Sequence, residues 1–214
     1  MWSTLAFKMP NQMQPKNDTR TCWVLKCDIR KFFASIDQQI LMNLLRSYIP
    51  DENILLLLGR VIGSFCATPG VAQIGLPLGN LTSQLLVNIY MNEFDQFVKH
   101  ELKAKYYVRY ADDFVTLSSN REELARTLLH MEVFLRDRLK LALHPDKVSI
   151  ETLASGVDFL GWVHFPDHRV LRTATKRRMF RRIEETNRKP ETISSYLGML
   201  SHGNSYTLQQ KIKG

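Results

Sequence analysis

Two adjacent carboxylates set into a run of strand-forming residues constrain this chain more than any other feature. The segment YYVRYADDFVTLSS places Asp112 and Asp113 between Tyr107-Val108 and Phe114-Val115. Aromatic and β-branched residues on both sides favour strands, so the segment predicts a β-hairpin with its carboxylates at the turn. Asp is an ordinary turn residue. Two ionised carboxylates side by side nevertheless repel unless a cation or solvent lies between them.

A third carboxylate lies on a second predicted strand. In TCWVLKCDI, Cys22, Val24, Lys26 and Asp28 alternate with Trp23, Leu25 and Cys27, so Asp28 falls near the strand end with an apolar face opposite. Two central strands side by side bring Asp28, Asp112 and Asp113 to one sheet edge. Hard oxygen ligands in that number suit Mg²⁺, which keeps several waters and binds phosphate. A two-metal site of this kind activates a 3′-hydroxyl and stabilises a departing pyrophosphate.

The remaining pattern is mostly helical. Asp37 is placed to cap a helix carrying Ile40, Leu41, Leu44, Leu45 and Tyr48, and Pro50-Asp51 restarts the chain into a second helix through Leu58, Ile62 and Phe65. After the loop GVAQIGLPLGNLTSQ, a helix is predicted from Thr82 or Ser83 to about Leu102, with Leu85, Ile89 and Phe97 on its buried stripe. Asn120 and Glu123 form a capping-box pattern ahead of Leu124, Leu128, Met131, Leu135 and Leu139. Short strands are expected near 147–152, 157–165 and 169–172, then helices with a break at Pro190. The fold class is α+β: a small antiparallel sheet with helices packed behind it.

Composition narrows the setting. The 214 residues are 44% hydrophobic, ordinary for a chain with a real core, and no apolar run approaches membrane-spanning length. The start carries no apolar run of signal-peptide length, so a cytoplasmic protein without a membrane partner is expected. Cys22, Cys27 and Cys66 form no C-x-x-C pair and read as small core or strand residues. Residues 169–189 hold nine basic side chains against two acidic ones, seven of the eight net positive charges. So concentrated a charge attracts polyanions by counterion release, and nucleic acid is the expected partner.

These segments, in this order, resemble the sequential motifs of reverse transcriptases over roughly residues 22–200. CDIRKFF resembles the first palm motif, which implies Asp28 and the Ile29 carbonyl as metal ligands and Phe33 as the aromatic that screens out a ribose 2′-hydroxyl. GLPLGNLTSQ resembles the motif beneath the incoming nucleotide, with Leu78, Gly79, Ser83 and Gln84 lining its site. YADD resembles the metal motif, which makes Asp112 the bridging ligand and Asp113 a peripheral one. Lys147, in HPDKVSI, matches the lysine that protonates the leaving pyrophosphate. FLGW resembles the primer-grip hairpin and sets Phe159, Leu160 and Gly161 at the primer end, with Arg172, Lys176, Arg177 and Arg178 following on the duplex.

The resemblance implies a palm at 21–155, a primer-grip hairpin at 156–172 and a basic helical thumb at 173–214. It implies two Mg²⁺ ions, which Mn²⁺ can replace, and dNTPs, an RNA template and a DNA or RNA primer as partners. An aliphatic residue followed by G-x-x-x-S-Q, at Leu78 to Gln84, resembles enzymes of diversity-generating retroelements, which copy a template-repeat RNA and act with a small basic accessory protein. The family places a basic fingers region ahead of the first palm motif. Residues 1–20, with Lys8, Lys16 and Arg20, match none of its motifs and read as an arm or a remnant of it. Two other readings stay open: a catalytically inactive palm and thumb that only binds nucleic acid, and a group II intron, retron or defence-associated enzyme.

Overall fold

The computed structural model describes residues 21–64, 73–77 and 79–213. The chain divides into two compact units, one running from Val24 to Ile150 and the other, among the described residues, made of 21–23 and 151–213. Strands β1 (Trp23–Asp28), β2 (Tyr106–Tyr110), β3 (Asp113–Ser118) and β4 (Ser149–Thr152) form one sheet in the order β2-β3-β1-β4. The predicted hairpin is present: β2 and β3 run antiparallel, with Tyr110 opposite Asp113 and Arg109 opposite Phe114. β1 is an interior strand. Val24 as well as Leu25 and Cys27 is almost fully buried, so both of its faces are covered rather than one.

The helices of this unit are α1 (Phe32–Ser35), α2 (Gln38–Tyr48), α3 (Glu52–Gly63), α4 (Leu81–Gln96) and α5 (Arg121–Leu139). Their starts follow local chemistry. Asp37 accepts hydrogen bonds from Gln39 N and Ile40 N, and Asp51 accepts from Asn53 N and Ile54 N. Asn120 caps α5 through Glu122 N and Glu123 N, while Glu123 accepts from the Ser118 hydroxyl instead of closing a reciprocal box.

The buried stripe of α4 differs from the expected one. Ser83, Leu86, Val87, Tyr90, Met91 and Phe94 face inward, whereas Leu85 is 63% exposed. Apolar residues occur on two adjacent stripes of this helix, and periodicity alone does not choose between them. Tertiary anchors choose: the Tyr90 hydroxyl donates to Leu139 O at 2.6 Å, and Phe94 meets Phe114 edge-on at 5.1 Å. Beyond Gln96 the helix widens into a π turn over Phe97–Glu101, and Phe97 stacks on Phe134 of α5 at 4.3 Å. Phe65 and Cys66 lie outside the described residues; Cys22 and Cys27 are buried, and burial pushes the Cys22 thiol up to about 11.

The second unit has its own sheet, with β5 (Val157–Phe159), β6 (Trp162–His164) and β7 (Arg169–Leu171) antiparallel in that order. The single strand expected over 157–165 is therefore two, broken at Leu160-Gly161, where φ is +52° and +82°. Positive φ at both central residues is the geometry of a tight two-residue hairpin turn. Three helices follow, α6 (Thr173–Glu185), α7 (Pro190–Leu200) and α8 (Tyr206–Lys213), one more than the sequence pattern suggested. Trp162, Leu171, Met179, Ile183, Leu200 and Ile212 form their common core.

Candidate active site

The end of β1 is held in place from both sides by backbone hydrogen bonds. Ile29 N donates to Asp112 O at 3.1 Å, while Arg30 N donates to Ala142 O and His144 N donates to Asp28 O at 2.9 and 2.8 Å. Asp28 thus stands beside the β2–β3 turn, and the three carboxylates of two distant segments share one sheet edge. Asp28 is buried, while Asp112 and Asp113 are half-buried.

Their electrostatics follow from this crowding. Burial raises the Asp112 carboxyl above its ordinary value, and the charge of Asp28 adds to the shift. Asp113 is raised by burial and then by Asp112 and Asp28, with Lys26 and Lys147 opposing. Of these two ammonium groups, Lys147 makes a direct ion pair: its Nζ lies 2.8 Å from Asp28 Oδ2. That hydrogen bond holds the Lys147 pKa above its ordinary value, so the lysine keeps its proton.

The donor set fits a hard divalent cation, since it is all oxygen and its members repel one another. Among the described residues, no three His, Cys, Asp or Glu side chains stand close enough together to hold a metal ion between them, so the fit lies in the chemistry of these oxygens and not in a formed cation site. Lys147 stands where a cation would neutralise Asp28.

The nucleotide-site candidates are brought together in part. Leu76 N donates to Phe33 O at 2.8 Å, Gly75 N to Ile36 O at 2.8 Å and Gln38 N to Gln73 O at 2.9 Å, so the loop ahead of Gly79 lies along the segment that follows Asp28. Phe33 is half-buried with its ring edge-on to Phe32. Gly79 has φ of +88° and open space where a Cβ would stand, so conformation rather than crowding calls for glycine there. Gln84 is exposed, whereas Ser83 is 1% exposed on the inward face of α4. Leu78 lies outside the described residues.

In the second unit, Leu160 and Gly161 form the β5–β6 turn and Phe159 points into the core. His164 is buried, and its Nε2 lies 3.3 Å from Phe159 O; burial lowers its pKa to about 4, so the ring is neutral and Nε2 carries the donated proton. Arg172 Nη1 pairs with Asp158 at 3.0 Å, whereas Lys176, Arg177 and Arg178 project from α6 with no ion pair among the described residues. Thr175, Met179 and Ile183 bury the other face of that helix.

Sequence reasoning missed one polar cluster behind the turn, formed by Arg109, Asp95, Tyr107 and Asn88. The available signal was the i, i+7 spacing of Asn88 and Asp95, which sets both on one helix face.

Residues 3–164 match the family described as reverse transcriptase (RNA-dependent DNA polymerase). The chain is 27% identical to the protein YkfC of Escherichia coli K12 over 200 residues, covering 77% of this chain and 51% of YkfC. It is 24% identical to the group II intron-encoded protein LtrA of Lactococcus lactis over 221 residues, covering 73% of this chain and 36% of LtrA. The chain thus spans about half the length of YkfC and about a third of LtrA. The fold is also similar to telomerase from Candida albicans, with a TM-score of 0.62 at 13% identity over 80% of this chain and 35% of that one. The α+β arrangement is that of a polymerase palm, and the chain belongs to the reverse transcriptase family.

Proposed function

We propose that this chain carries out RNA-directed DNA synthesis, adding deoxynucleotides to a primer 3′ end. The observation that carries the reading is the bond from Ile29 N to Asp112 O, which holds Asp28 against the Asp112-Asp113 turn. Asp28, the Ile29 carbonyl, Asp112 and Asp113 would hold divalent cations, Mg²⁺ or Mn²⁺, with two ions expected. Bound there, such ions supply activation of the 3′-hydroxyl and neutralisation of the pyrophosphate charge. Lys147, already protonated beside Asp28, is the proton donor to the leaving group. Phe33 and the loop at Gly79 face the incoming nucleotide, and Gln84 stands at its edge. Leu160 and Gly161 grip the primer, while Lys176, Arg177 and Arg178 track the duplex backbone.

The test is extension of a labelled primer on a defined RNA template with Mg²⁺ or Mn²⁺. Extension that disappears in Asp112→Asn, with duplex binding retained, is the expected result. No extension by the parent chain, with duplex binding intact, would leave a nucleic-acid-binding palm.

For the subclass, Leu78, Gly79, Ser83 and Gln84 support a diversity-generating retroelement enzyme acting with a small basic accessory protein. Similarity to LtrA and to a putative COX1 intron 2 protein of Saccharomyces cerevisiae favours a group II intron lineage as the second reading. Error spectra separate them: the resemblance to diversity-generating retroelement enzymes implies frequent misincorporation opposite template adenine, which Leu78→Gln should reduce. Gln84→Pro is a poorer probe, because Gln84 N makes a first-turn bond to Asn80 O that proline forfeits.

A further inference from the structure

We propose that Arg109 is a positioning residue for nucleotidyl transfer: locked by Asp95, its guanidinium holds the Ala111 carbonyl and fixes the turn that presents Asp112. This rests on the polymerase reading above. Arg109 sits on β2, three residues before Asp112, with a side chain only 8% exposed. Its Nε donates to Asp95 Oδ1 at 2.9 Å and its Nη2 to Asp95 Oδ2 at 2.7 Å, a bidentate pair. The remaining nitrogen, Nη1, donates to Ala111 O at 3.1 Å and lies 3.4 Å from Asn88 Oδ1. Asn88 and Asp95 stand two turns apart on one face of α4. The Tyr107 hydroxyl completes the cluster by donating to Asp95 Oδ1 at 2.7 Å. One planar side chain therefore ties the catalytic turn to the buried helix behind it.

The turn needs such a tie. Ala111 has φ of +53°, a left-handed conformation that a residue with a Cβ adopts at a cost. Backbone of this kind persists where its surroundings over-determine it. Two contacts flank the strained residue: Arg109 Nη1 at its own carbonyl, and Ile29 N at the next one. Without the first, the peptide joining Ala111 to Asp112 is free to relax, and the Asp112 carboxylate shifts relative to Asp28. An Arg needed only to staple β2 to α4 would pair with Asp95 alone; the third direction of the fork, toward Ala111, is what a staple does not require.

Two variants test this. Arg109→Lys keeps a cation for Asp95 but cannot make a bidentate pair and reach Ala111 together. Asp95→Asn keeps an acceptor but removes the charge that aims the guanidinium, and decides the matter should Arg109→Lys not fold. Primer extension is measured per active site, counted with a chain-terminated primer, alongside Mn²⁺ affinity of the substrate-free protein by electron paramagnetic resonance. The expected result is a fall in kcat of about 10- to 100-fold, the scale of a sub-ångström to 1 Å misplacement. The dNTP KM should move less than about threefold, and half-saturation by Mn²⁺ should rise at least threefold, each set by the shift of one carboxylate. A lower melting temperature and smaller active fraction, with per-site kcat and Mn²⁺ dependence unchanged, overturn the proposal. A parent chain that extends no primer defeats the polymerase reading instead, and Mn²⁺ affinity alone then decides for Arg109: weakened supports its role, unchanged overturns it.

Discussion

Replacing Lys147 by Met should make the site bind cations more tightly and turn over more slowly. The ammonium lies 2.8 Å from Asp28 Oδ2, so any cation that engages this carboxylate first displaces it. Two unit charges at that distance attract by ~1.5 kcal/mol in a water-like dielectric and several times more in a buried one. The lysine side chain is 54% exposed and the aspartate 10%, which puts the pair nearer the watery limit. After the entropy of holding a long side chain, a net of about 1 kcal/mol remains.

Released by the substitution, that free energy corresponds to roughly fivefold tighter Mn²⁺ binding by linkage. The metal-free variant should also melt about 2–4 °C lower. Titration of the substrate-free chain followed by electron paramagnetic resonance reads the first number, and melting in EDTA reads the second. Extension should move the other way, falling about 100-fold or more if the lysine delivers a proton to pyrophosphate. Mn²⁺ affinity equal to or weaker than the parent's would refute the displacement argument outright. An unchanged kcat would remove Lys147 from the chemistry while leaving the displacement argument standing.

Asp113→Asn should stabilise the metal-free chain while impairing extension. Burial and the neighbouring charges of Asp112 and Asp28 raise the Asp113 pKa in the fold, so its favourable contribution is complete below the unfolded value and is lost as pH rises through the folded one. At neutral pH in EDTA the variant should therefore melt above the parent; a lower melting temperature would contradict it. His164 acts on the acid side. Its pKa falls from 6.5 to about 4, so stability it supports above pH 6.5 drains away as pH falls toward 4, by on the order of 2–3 kcal/mol. In His164→Gln the urea midpoint should vary less over that window, and an equally steep acid limb would exclude this histidine as its source. Neutralising Arg177 and Arg178 to Gln should reduce the slope of log affinity against log salt by about 2, one phosphate contact each. An unchanged slope assigns both to a solvated face.

Much of the site was legible in the chain because its signals are local. A turn between strand-forming runs fixes Asp112 and Asp113 whatever packs around them, and the caps at Asp37, Asp51 and Asn120 depend on residues two or three positions away. Where two local solutions were equally good, sequence failed. The stripe of α4 was misplaced by one position because apolar residues flank both choices, and the strand over 157–165 was read through a turn that Leu160 enters at positive φ.

The sequence by itself determined the three carboxylates, their order and the basic helix that follows them. Tertiary structure alone decided how they meet. Lys147 reaches Asp28 across 119 residues, and Arg109 finds Asp95 and Asn88 at separations of 14 and 21 on a helix earlier in the chain. No local periodicity encodes such pairings, because a charged side chain takes its partner from whatever folding brings within about 3 Å.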